Sequence, residues 1–175
     1  RVDRIATRAG VNKAMIYYYF HSKAELYHSV MEDSFRRAFA RLHAKVKDSD
    51  NLETVLRELA TMHTQLFTEV PGFREMVMRE LADASTGGFA RIRNSIEASQ
   101  LRELARQRLE AGMHSGEFRK LDGRQVMAAY ISMSIGYFFL APMIEKLMGI
   151  TDREQFQNDR CTVIPDIFLN GLKVR

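Results

Sequence analysis

What this chain has little of narrows its chemistry. A single cysteine, Cys161, among 175 residues excludes an intrachain disulfide framework and fits a reducing cytoplasm. Three prolines and 10 glycines leave little punctuation for strands and tight turns, while helix formers such as Ala, Leu, Met, Arg, Glu and Gln are plentiful. An all-α protein is expected. The histidines His21, His28, His43, His63 and His114 are scattered, with no HExxH and no cysteine pair, so neither a metal nor another cofactor is expected. Glu25 and His28 form one ExxH unit of the kind di-iron bundles use in pairs; without a second unit they read as a helix-surface pair. There is no GxSxG, and Gly87-Gly88 alone is a loop rather than a phosphate cradle, so an enzyme is not expected.

What is present is polarised along the chain. The length and a hydrophobic share of 46% suffice for one sizeable core or two small ones. The net charge of +4 is mild. Arg1, Arg4, Arg8, Lys13 and Lys23 nevertheless crowd one end, which favours a local polyanion-binding face.

That end carries the most informative stretch, VDRIATRAGVNKAMIYYYFHSKAELY. A short helical pattern, with Ile5, Ala6 and Ala9 inward, stops at Gly10, the residue best able to take the left-handed backbone of a turn. Val11 follows as an apolar plug, and Asn12 stands where a helix needs a side-chain acceptor, which predicts a second helix over about 13–19. Two short helices meeting at a tight turn make a helix-turn-helix, whose second helix enters the DNA major groove. Three consecutive tyrosines, Tyr17, Tyr18 and Tyr19, point about 100° apart on a helix and cannot all be core. Their hydroxyls suit phosphate oxygens. Ser22 with Glu25 is a capping box that opens a long third helix over about 23–47.

In these residues the chain resembles the TetR-type family of transcriptional repressors. The family's DNA-binding segment runs like IAxxAGVxxgtlYxhFxsKexL, against IATRAGVNKAMIYYYFHSKAEL here. The resemblance implies DNA contacts at Asn12, Lys13, Ala14, Tyr17, Tyr18, Tyr19 and Lys23, and a small core of Ile5, Ala9, Val11, Ile16, Phe20 and Leu26. Ala14 and Tyr19 depart from the commonest family residues, which bears on base preference. Family members carry a further helix upstream, so the resemblance also implies a segment ahead of Arg1. No secretory signal is recognisable at the start. The likeness is tight over the first 27 residues and loose beyond them, through SGEFR near Phe118 and the ending IFLNGL.

The expected division is a helix-turn-helix domain at 1–47 and a helical ligand-binding and dimerisation domain at 48–175. Helical stripes are expected over 52–69, ended by Val70-Pro71-Gly72, and over about 73–82. The segment ADASTGG reads as a polar loop, and Phe89 to Ser115 as one long helix. A last helix is expected over about 153–172, with Pro165 predicting a kink or break near 161–164.

The run Gln125 to Ile144 has no charged residue, long enough for a membrane span. Its tyrosines at 130 and 137 sit mid-run rather than at the ends, with Gln125, Ser132, Ser134 and Pro142 beside them, which favours a soluble helix. An apolar helix of this kind is most simply covered by a copy of itself, so a homodimer is expected through Ile131, Ile135, Phe138, Phe139, Ile164 and Phe168, with no membrane partner. Methionines and aromatics recur through the body. Met62, Leu66, Phe67, Met113, Met127, Tyr130, Ser134 and Tyr137 are candidates to line a site for a mostly apolar or aromatic effector, oriented by one or two hydrogen bonds. The reading is thus a ligand-responsive repressor that binds double-stranded operator DNA; the alternative is a helical small-molecule-binding or scaffold protein without DNA binding.

Overall fold

The computed structural model describes residues 2–49, 51–82 and 88–174, apart from the side chains of 88, 89, 91 and 92. Among the described residues the chain forms the helices α1 (Val2–Ala9), α2 (Lys13–Phe20), α3 (Lys23–Val46), α4 (Leu52–Glu69), α5 (Phe73–Ala82), α6 (Gly88–Ala98), α7 (Leu101–Ser115), α8 (Gly123–Met148) and α9 (Arg153–Leu172). No named strand occurs among them; an isolated antiparallel bridge, Phe118 to Lys173, ties the α7–α8 link to the end of α9.

Local chemistry sets the first boundaries as the sequence predicts. Gly10 turns with φ +66°. Asn12 Oδ1 accepts from the Ala14 amide at 2.9 Å, and Ser22 Oγ accepts from the Glu25 amide at 3.0 Å, so α2 and α3 start on side-chain caps. The small head packs Val2, Ala6 and Ile16, with Phe20 and Leu26 closing over them. Ile5, Ala9 and Val11, expected inside, face outward instead. The reason is phase: α1 meets α2 through its Val2–Ala6 row, and Ile5 stands about 100° round the helix from Ala6.

The change from head packing to body packing falls within α3. Leu26 belongs to the head, whereas Met31, Phe35, Ala38, Phe39, Leu42 and Val46 join Val55, Met62 and Leu66 of α4, Phe73, Met76 and Val77 of α5, and Leu101 and Ala105 of α7. A second cluster joins Leu56, Leu109, Phe118, Val126, Tyr130, Ile164 and Leu172. The α3 and α5 helices are also bridged by polar groups. His28 Nε2 lies 3.1 Å from Glu80 Oε1, and the Arg79 guanidinium lies 5.3 Å from the Tyr27 ring centre. Glu80 is only 3% exposed, so Glu25–His28 is not the simple surface pair expected from ExxH.

Two expectations about the body are corrected. The single helix over 89–115 is two helices. Ser99 Oγ bonds back to the Ile96 carbonyl at 2.6 Å, and Gln100 takes a left-handed φ of 56°. A hydroxyl competing for backbone ends α6 there, and the restart lets Leu101, Ala105 and Leu109 face the core. The helix α9 runs through Pro165 without a break. The ring of Pro165 is fully buried, and α9 lies along α4, so packing holds the helix together where one backbone donor is missing. The polar loop expected at ADASTGG lies, for 83–87, outside the described residues.

Candidate nucleic-acid interface and the interior of the body

The head presents one continuous polar and aromatic face. Asn12, Lys13, Ala14, Tyr17, Tyr18, Tyr19 and Lys23 are all exposed, at the start of α2, along it and at the start of α3. Tyr18 and Tyr19 are 76% and 65% exposed, with their rings edge to face at 5.3 Å. Rings so uncovered contribute nothing to the fold's core and leave both hydroxyls available to a partner. Ile16 and Phe20, on the opposite side of α2, anchor the helix. His21 closes α2 in a left-handed conformation, φ 59°, donating its amide to the Tyr17 carbonyl at 2.8 Å. Lys13 Nζ sits 2.8 Å from Asp3 Oδ1, a partner supplied by α1. That hydrogen bond raises the Lys13 pKa and lowers that of Asp3.

The candidate effector residues are brought into the interior, most of them in or against three packed clusters. Tyr130 is fully buried and its hydroxyl donates to the Leu56 carbonyl. Ser134 Oγ is 2.8 Å from His63 Nδ1, and the Tyr137 hydroxyl donates to Glu145 Oε1 at 2.8 Å, with Arg153 Nη2 2.5 Å from the other oxygen of that carboxylate. Each of these three hydroxyls thus has a partner within the protein. Phe67 stacks on Phe138 at 4.7 Å and meets Phe73 and Phe139 edge-on. Met113 and Met127 pack against the two larger clusters. Met62 and Leu66 also line a cleft of about 250 Å³ with Ala38, Leu42 and Gln65, between α3 and α4. A larger cleft, about 970 Å³, lies between α3 and α6 and includes none of the candidates.

A polar layer between α4, α8 and α9 was not foreseen. Arg160 donates to the Met133 carbonyl at 2.7 Å, with its guanidinium carbon 4.5 Å from the Tyr137 ring centre, and Cys161 Sγ is 3.3 Å from Thr64 Oγ1. Burial pulls the Arg160 pKa down and holds His63 at about 4. The unfolded chain, with an ordinary imidazole near 6.5, takes up a proton that the folded chain refuses until about pH 4. Stability from a neutral His63 is thus complete above pH 7 and falls as the pH drops through 6.5 toward 4, by about 3 kcal/mol in total. Urea melts at pH 7 and pH 4.5 should show this loss, and His63→Gln should flatten it.

The candidate interface residues divide. Ile131 is exposed, and Ile135, Phe139 and Phe168 are half-buried. Phe138 and Ile164 lie in the protomer's own core, against Tyr137 and Ala141 and against Leu169 and Leu172 respectively, so they have no surface to offer a second chain. The outward apolar residues of α8 are Ile131, Leu140, Met143, Leu147 and Met148, with Ile135 half-buried and Phe139 turned toward Phe67, and Val163 and Ile167 are exposed on α9. By length and composition α8 is also long and apolar enough to cross a membrane. Among the described residues, no group of three or more His, Cys, Asp or Glu is placed to hold a metal ion.

A capped α2 bearing exposed lysine and tyrosines, turned from α1 at a glycine, defines a helix-turn-helix protein. Residues 1–30 match the profile of bacterial regulatory proteins, tetR family. The chain is 31% identical over 185 aligned positions to the HTH-type transcriptional repressor NicS of Pseudomonas putida (strain KT2440), covering 99% of this chain and 82% of that protein. A solved structure of a protein with unknown function from Rhodococcus sp. RHA1 shares the fold, with TM-score 0.62 at 19% identity, over 99% of this chain and 85% of that one. The chain belongs to the tetR family of bacterial regulatory proteins.

Proposed function

We propose that this protein is a ligand-responsive transcriptional repressor that binds a pseudo-palindromic operator in the cytoplasm as a homodimer and releases it when a mostly apolar small molecule binds. The observation that carries the DNA reading is the outward display of Lys13, Ala14, Tyr17, Tyr18 and Tyr19 on a helix whose opposite side is anchored in the head, with Lys23 exposed at the start of the next. The name of the Pseudomonas relative supports the same direction of regulation. The head, 1–47, reads DNA; the body, 48–175, pairs with a second copy through the outward apolar residues of α8 and their neighbours on α9, and takes the effector among its adaptable methionine and phenylalanine side chains, Met62, Met113, Met127 and Phe67. A copy rather than lipid covers α8.

A two-fold dimer presents two recognition helices, so selection of bound duplexes from a random pool should enrich two half-sites about 34–36 Å apart or somewhat more. Binding should weaken steeply with salt as phosphate contacts release counterions. Lys23→Ala should weaken binding to every sequence and reduce the slope of log affinity against log salt by about one per half-site; Tyr17→Phe isolates the contribution of one hydroxyl. No enriched duplex, or an affinity indifferent to salt, would make the chain a helical binding or scaffold protein instead.

A further inference from the structure

The Lys13–Asp3 contact places an acid inside the proposed DNA face. Lys13 is the first residue of α2, its ammonium 2.8 Å from a carboxylate in the first turn of α1, and both side chains are about half-exposed. Phosphate oxygens and the Asp3 carboxylate are chemically alike as acceptors for that ammonium. Resting on the DNA reading above, we infer that Asp3 sets the affinity of the head: it is the counter-ion of Lys13 in the free protein and must yield the ammonium when a DNA phosphate arrives.

The inference has a signature that a merely structural acid lacks. When a lysine without a partner meets a phosphate, a condensed cation leaves the DNA and the salt slope grows by about one. When Lys13 exchanges Asp3 for a phosphate, a condensed cation still leaves the DNA, but breaking the ion pair offsets part of the gain in affinity. Lys13 then contributes less affinity than a lysine without an acid beside it would. Asp3 also stands close enough to the backbone site to repel it, so it lowers affinity for all duplexes alike rather than selecting among sequences.

The full chain is assayed on the duplex selected for it and on a random duplex, over a series of salt concentrations. Asp3→Asn should bind both about 2- to 5-fold more tightly at low salt, a gain that shrinks as added salt screens the Asp3 charge. Asp3→Ser should do the same, and Asp3→Glu, which still reaches the ammonium, should return toward the unmodified protein. In a Lys13→Met background, Asp3→Asn should gain little. Folded variants, judged by circular dichroism, that bind no more tightly overturn the inference; so does an undiminished gain without Lys13, and so does loss of binding by both neutral variants, which would assign Asp3 to the fold of the head. Failure of the unmodified chain to bind any duplex is a different result, and refutes the DNA reading itself.

Discussion

Ile131→Arg is expected to turn the proposed dimer into a monomer and to weaken operator binding by about 100-fold or more. The side chain is 42% exposed on the isolated protomer, so an arginine there leaves the protomer's own clusters intact. In a symmetric pair the same position recurs on the partner surface, and each copy would carry a buried charge with no acid to meet it, a defect of several kcal/mol. Two heads held together gain about 10²- to 10⁴-fold over one by effective concentration alone, and a monomer forfeits that gain. Sedimentation at micromolar concentration reads the first effect and duplex titration the second. A monomeric unmodified protein, or a dimeric Ile131→Arg variant, would remove α8 from the interface.

The second large effect concerns stability. Gly112, on the buried face of α7, lies under the ring of Phe118, and a Cβ at that position would fall 2.2 Å from the ring's Cδ2 and 2.4 Å from Cε2. Phe118 is itself 3% exposed and tied at its backbone, its amide donating to the Gly112 carbonyl at 3.0 Å. The ring cannot swing aside cheaply. Gly112→Ala should therefore destabilise the body by about 2–3 kcal/mol, although alanine is the better helix former by about 1 kcal/mol. That corresponds to a fall in melting temperature of about 5–10 °C for a chain of this size. An unchanged or higher melting temperature would mean that the α7–α8 link moves freely.

The head was legible because its signals are local. Gly10, Asn12 and Ser22 each act on backbone groups within four residues, and each acts in the structure where the sequence places it. The body was legible only to the level of its helices. The run 125–144 of α8 has no charged side chain to give its phase, so Phe138, which faces inward, could not be separated from Ile131, which faces outward. The same blindness affected the hydroxyls of Tyr130, Ser134 and Tyr137, whose partners Leu56, His63 and Glu145 lie 8 to 74 positions away. Glu80 did leave a trace in the sequence. It continues the buried row of Phe73, Met76 and Val77 at helical spacing, and an acid on such a row calls for a partner from another helix. Asp3 left none, since its meeting with Lys13 depends on how α1 and α2 cross.

The 24 residues of α3 form one uninterrupted helix, rooted in the head at Leu26 and in the body from Met31 to Val46. At about 1.5 Å per residue the helix is ~36 Å long. A tilt of only ~5° about its Val46 end would carry the head sideways by ~3 Å, the whole length of a hydrogen bond. In a two-fold pair the two displacements add, to ~6 Å against a half-site spacing of ~34 Å. An effector would then need no large cavity: a molecule that shifted the α3–α4 or α3–α5 contact by a fraction of an ångström near the fulcrum would put the two reading heads out of step with the groove.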